Sequence, residues 1–215
     1  MKRRELERLR KELESFAERM TEGMGRPERR DALGHYITGL LLEGERKSIA
    51  PMAERLSGFG DGEAMRQRMQ QAVVVARWSE SEMFRRIARE LTAIPEMEAF
   101  VIDDTGFPKK GEHSVGVARQ YSGTLGRTDN CQVATSLHLA GERGSGCIGM
   151  RLYLPESWAE DRERCVRAGV PEEVAFQKKG ALALELLDAA IAWGLPQRVV
   201  LADAGYGEVA SVNVV

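Results

Sequence analysis

Two short apolar runs, far apart in the chain, break off in the same way. Phe100-Val101-Ile102 meets Asp103-Asp104-Thr105-Gly106, and Val199-Val200-Leu201-Ala202 meets Asp203-Ala204-Gly205. Each reads as a buried strand whose C-terminal end delivers a carboxylate to the rim of a sheet. The segment before the second run is a strongly apolar helical stretch, residues 180–193, stopped by Gly194-Leu195-Pro196. A strand, a helical crossover and a further strand demand parallel pairing, which brings the two aspartate-bearing ends to one rim.

Upstream the texture is helical. Over residues 2–20, Leu6, Leu9, Leu13 and Phe16 recur at spacings of three and four among alternating charges, an amphipathic pattern with a solvated face. A second helical pattern covers 28–42, and a third starts at Ser48 with Pro51 in a first turn that tolerates it. The loop Gly58-Phe59-Gly60-Asp61-Gly62 leads to a helix over 63–76, and Ser79 or Ser81 caps one carrying Met83, Phe84, Ile87 and Leu91. Residues 1–95 are thus expected to be helical.

Beyond Ile94-Pro95 the pattern shortens. Strands are expected over 98–103, 114–121, 131–139 and 147–154, with turns at 125–130 and 141–146, as sequential antiparallel neighbours. Val170-Pro171-Glu172-Glu173 reads as a helix start. The expected class is α/β (mixed α+β). Over 96–215 a mixed sheet has strands one to three antiparallel and a fourth strand, 199–202, parallel to the first.

Composition narrows the function classes. The net charge of -2 describes a chain that is not basic overall, so contact with nucleic acid must come from local cations. Lys109, Lys110, Arg119 and Arg127 lie near the first aspartates or on the hairpin beyond them, and are the candidates for phosphate contacts. Cys131, Cys147 and Cys165 lack metal-ligand or redox spacing and read as reduced thiols. The start, Met1-Lys2-Arg3-Arg4, is no signal peptide, and no apolar run spans a membrane, so a cytoplasmic protein is expected.

The carboxylates carry the chemistry. Hard divalent cations take oxygen ligands, and paired metals serve phosphoryl transfer. Adjacent strand residues point to opposite faces, so one of Asp103 and Asp104 is the ligand: Asp103 is favoured, with Asp104 the alternate, and Asp203 joins it. A haloacid-dehalogenase-type phosphatase needs Asp-x-Asp-x-Thr, which Asp103-Asp104-Thr105 does not supply. His35, His113 and His138 stand apart and read as polar or packing residues; Trp78, Trp158 and Trp193 read as core anchors.

Several ordered blocks carry a resemblance: Ile102 to Gly111, His113 to Gly123, Asp129 to Val133, Leu152 to Trp158 and Ala202 to Gly207, with Arg46-Lys47-Ser48-Ile49 upstream. Over residues 30 to 207 the chain resembles bacterial insertion-sequence transposases of the DDE superfamily, the branch with a ribonuclease-H-like catalytic domain. The resemblance implies DNA transposition at insertion-sequence ends, with three acids holding Mg2+ (or Mn2+). Asp103 or Asp104 maps to the first acid and Asp203 to the second. The family's third acid, a helical Glu, lies well beyond the second. The tail from Glu208 to Val215 does not resemble that continuation, so a C-terminally truncated catalytic domain, inactive alone, is expected. The rival reading is a non-catalytic DNA-binding or regulatory fragment. Expected partners are DNA, a second copy of the chain or a full-length transposase, and no membrane.

Overall fold

The structure is a computed structural model that describes residues 3–58 and 60–206. The tail Glu208 to Val215, Gly207 and Phe59 lie outside the described residues. The chain divides into two compact units, Met1–Met83 and Phe84–Val215.

The first unit is helical, as its periodicity predicts: α1 (Arg3–Thr21), α2 (Pro27–Leu41), α3 (Ile49–Ser57) and α4 (Gly62–Gln70). With few aromatic residues, it packs on methionine, which fills irregular gaps. Met52, Ala53, Met65 and Met69 form one cluster with Tyr36, Ile49 and Leu56 against it. Met24, Ala32, Leu33 and Ala72 form another with Val73 and Met83. Asp61 ends the expected loop by capping α4, its Oδ1 accepting from the Ala64 N–H at 3.0 Å. The helix expected over 63–76 changes character after Gln70. Residues Gln71–Val75 form a π turn, in which the Ala76 N–H donates to the Gln71 carbonyl. Trp78 is 39% exposed, so it is not the core anchor its size suggested.

The next helix, α5 (Glu80–Thr92), is capped by Ser79, whose Oγ accepts from the Glu82 N–H at 3.1 Å. Its residues Ile87, Ala88 and Leu91 pack in the core of the second unit, under the sheet. That sheet contains β1 (Met97–Pro108), β2 (Ala118–Ser122), β3 (Arg127–Gly141), β4 (Gly144–Leu152) and β5 (Val199–Ala202). The class is the expected one, a mixed sheet with helices, and β5 runs parallel to β1.

The detail departs from the sequence reading in four places. First, β1 does not end at the carboxylates. It continues to Pro108 because β3 offers a partner at each step, Asp103 opposite Ser136 and Asp104 opposite Thr135, out to Pro108 opposite Cys131. Second, the chain is not a sequential meander: β1 pairs with β3, and β3 also pairs with β2 and β4. Third, residues 114–117 form a turn closed by the Val117 N–H on the Ser114 carbonyl, and Arg127 to Asn130 belong to β3 rather than to a turn. Fourth, Pro171 starts no helix. The helices lie earlier, as α6 (Glu156–Ala159) and α7 (Arg162–Arg167), the latter capped by Asp161.

The crossover helix α8 (Lys179–Ala192) lies on one face of the sheet. Leu182, Leu186 and Ala190 are buried, and the core joins Leu186 and Ala190 to Phe100, Ile102, Leu137, Leu139 and Ile148. Close approach is possible because β4 presents Gly149 there: a Cβ at that position would lie 2.8 Å from a Leu186 methyl. After α8 the chain reverses at Gly194, whose φ of 77° suits glycine. A second, smaller core of Val117, Leu154, Trp158 and Cys165 anchors α6 and α7. The three cysteines are free thiols, as their spacing implied.

Candidate active site at the rim of β5

β5 is four residues long, and its last pair with β1 is Ala202 against Ile102. Asp103 and Asp203 therefore each stand one residue past that pair. The two acid-bearing runs meet side by side as the parallel pairing required. The sheet rim they share is that of β5, since β1 runs on.

Alternation separates the two neighbouring aspartates. Phe100 and Ile102 face α8 in the main core, and Asp104 continues that row. Asp104 is half-buried, with 28% of its side chain exposed, and both its oxygens are held. The Tyr206 hydroxyl donates to Oδ1 at 2.5 Å, and the Lys179 ammonium donates to Oδ2. Asp103 belongs to the other row and is exposed; its Oδ1 accepts from the Asp104 backbone N–H at 2.7 Å, and its carbonyl accepts from Ser136 Oγ at 3.0 Å.

The turn after β5 is a single 3-10 turn, Ala204–Tyr206. Asp203 shapes it: Oδ1 accepts from the Gly205 N–H at 2.9 Å, and its carbonyl from the Tyr206 N–H at 3.2 Å. The turn drops the Tyr206 ring into the core beneath α8 while its hydroxyl reaches Asp104. Thr135, fully buried on β3, places its Oγ1 3.4 Å from that hydroxyl. Burial, then the hydrogen bond to Asp104 and the charges of Asp104 and Asp203, push the Tyr206 phenol far above the usual tyrosine range. One phenol thus sits in the field of two carboxylates from runs far apart in the chain.

Lys179 opens α8, and its Nζ also lies 5.4 Å from the centre of the Tyr153 ring. A cation in the first helical turn is opposed by the helix dipole, so a lysine there signals a compensating anion nearby. That signal was available in the sequence at Lys178-Lys179 and went unread. Tyr206 carried no local signal, because its partners Asp104 and Thr135 are 102 and 71 positions away.

The donor set suits a hard divalent cation. It is made of carboxylate oxygens, and an ammonium already stands on Asp104 in place of such a cation. Among the described residues no group of three His, Cys, Asp or Glu converges on one point.

The four candidate phosphate contacts are not equivalent. Arg127 is tied to Asp129 by Nη2 and Nε at 2.8 and 3.0 Å, which offsets its charge. Lys109 is half-buried, with its backbone N–H on the Asn130 carbonyl; Lys110 is exposed. Arg119 is exposed and lines a cleft of about 590 Å³ with His113, Trp158, Arg164 and Arg167, which none of the three aspartates lines. Arg164 stacks 3.8 Å from the centre of the Trp158 ring and donates to the Glu112 carbonyl at 2.9 Å, fixing that wall.

Comparison with known proteins gives two findings. Residues 19–214 match the family described as DDE superfamily endonuclease. A stretch of 108 residues is 37% identical to a probable transposase for insertion sequence element IS701 from Microchaete diplosiphon. That stretch is 50% of this chain and 26% of the relative, so the chain spans well under two thirds of that protein. Among the described residues, no helix is long and apolar enough to cross a membrane.

Proposed function

The chain belongs to the DDE superfamily of endonucleases, and from that premise we propose that the rim of β5 is the acidic centre of a metal-dependent DNA phosphodiester-cleaving site serving transposition of an insertion sequence. The observation that supports the reading is that the β1–β5 pairing brings Asp203 beside the Asp103–Asp104 pair, with Tyr206, three residues after Asp203, bonded to Asp104. We assign the first acid to Asp104, the alternate of the sequence reading, because its row and its partners lie on the α8 side with Tyr206. Asp103, one step beyond the last β1–β5 pair, borders the same site from the other face.

Asp104 and Asp203 would hold Mg2+ or Mn2+, which supplies activation of the attacking oxygen and neutralisation of the leaving one. The protein's part is orientation. Tyr206 keeps its proton and so holds Asp104 as an acceptor-only carboxylate in one rotamer. Asp203 is aimed by its own turn, whose backbone N–H groups engage it and its carbonyl. Thr135 and the α8 face exclude water from behind the carboxylates. Lys109, Lys110 and Arg119 would take the phosphates of a DNA backbone, Arg127 less so.

The test is binding of Mn2+ to the purified chain, followed by electron paramagnetic resonance. Asp104→Asn and Asp203→Asn are each expected to weaken binding at least about tenfold, since each removes one charged ligand. If either variant binds Mn2+ as the parent does, the assignment fails for that residue.

A further inference from the structure

The Lys179–Asp104 contact is an odd arrangement for a site that takes a dication. The ammonium sits on Oδ2 of Asp104, a carboxylate that would hold the metal, and it comes from the first turn of α8. A purely structural ion pair has no need of this place, at a helix end whose dipole opposes a cation. Nor is the lysine buried: a third of its side chain is exposed, and it rests against the Tyr153 ring, itself set edge-on to Phe176 at 6.2 Å. The ammonium therefore lies between the Asp104 carboxylate and the Tyr153 ring, with part of the side chain open to solvent.

We propose that Lys179 is an exchangeable counter-cation of the site: it occupies Asp104 when no divalent ion is present, and is released by the ion to engage a DNA phosphate. The inference rests on the reading of Asp104 as a metal ligand. Its logic is electrostatic. Two cations at one carboxylate repel each other, so the ammonium competes with the incoming ion. Once displaced, it remains at the rim with three N–H donors to offer a phosphate of the substrate. Tyr206 has no such role, because a neutral phenol on the other oxygen does not compete for charge. Lys179 is therefore a positioning residue in the resting site and a substrate-binding residue in the loaded one.

Competition predicts a sign that a structural role does not. Lys179→Met, which keeps the apolar stem, is expected to tighten Mn2+ binding about tenfold. Lys179→Arg, which keeps the charge, is expected to stay near the parent. In a gel-shift assay on a duplex oligonucleotide, Lys179→Met is expected to weaken binding severalfold with Mn2+ present and to leave it unchanged in chelator. Weaker or unchanged Mn2+ binding by Lys179→Met overturns the proposal, as does a loss of DNA affinity equal in the two buffers. Thermal melts confirm folding, and Lys179→Gln stands in if the methionine variant does not fold. Asp104→Asn separates the two levels. If it leaves Mn2+ binding intact, the metal reading is wrong; if it abolishes binding while Lys179→Met has no effect, only the exchange is wrong.

Discussion

Tyr206→Phe isolates the bond that joins the turn after β5 to β1. The ring sits 8% exposed in the main core, and Phe fills the same space, so no cavity opens. What is lost is one hydrogen bond to an ionised carboxylate, worth about 1.5–3 kcal/mol. Asp104 is 28% exposed and water replaces part of the bond, which places the cost near the lower half, about 2 kcal/mol. The pH dependence has a definite sign. The folded-state phenol titrates well above the unfolded one, so its contribution is fully present below about pH 10. Above that the unfolded chain releases its proton while the folded chain keeps it, and stability falls by up to about 1.4 kcal/mol per pH unit. Urea unfolding in chelator at pH 8 and pH 11 measures both. The parent is expected to exceed the variant by about 2 kcal/mol at pH 8 and by less than about 1 kcal/mol at pH 11. A gap that stays constant across that range, or none at pH 8, refutes the argument.

Leu186→Ala should cost about 3–5 kcal/mol in urea melts, because Gly149 opposite has no side chain with which to fill the space; a loss under about 1 kcal/mol would show that α8 does not pack as described. Gly106→Ala should destabilise the second unit, since the added Cβ would fall 2.2 Å from Ser122 Oγ, and circular dichroism melts should show a lowered midpoint. Arg119→Ala should reduce the slope of log affinity for DNA against log salt by about one, and Arg127→Ala by less, because Asp129 already offsets that charge. Glu63 is held down to about 2 by its hydrogen bond from Arg66, so the support this pair lends α4 is present above the ordinary carboxylate range and lost as pH falls through about 2; helicity of the Glu63→Gln variant checks it.

Much of this protein is legible one residue at a time. Helical periodicity places α1 to α5 and α8 within a few positions, because a helix closes its hydrogen bonds within its own segment. The apolar run Val199 to Ala202 marks the bounds of β5, since its length and its flanking Gly194 and Asp203 are local facts, but it is not the buried strand expected: Val199 is 66% and Leu201 51% exposed. The same holds for the parallel pairing of β1 and β5, which follows from an apolar helix lying between two strands.

Tertiary structure decided what depends on a distant partner. The run at Phe100 to Ile102 seemed to stop at its carboxylates because polarity rose there, yet β3 supplies hydrogen bonds beyond them, and a strand extends as far as its neighbour does. The place of β2 and β4 beside β3 was set by the same cross-strand bonds, which no window of sequence contains. The different surroundings of Asp103 and Asp104 follow from which face α8 covers, and the contacts of Lys179 and Tyr206 from oxygens more than seventy positions away. Local pattern determines which segments are helix or strand and where charge is available. Only the packed sheet determines which of those charges meet, because an electrostatic contact depends on separation in space and not along the chain.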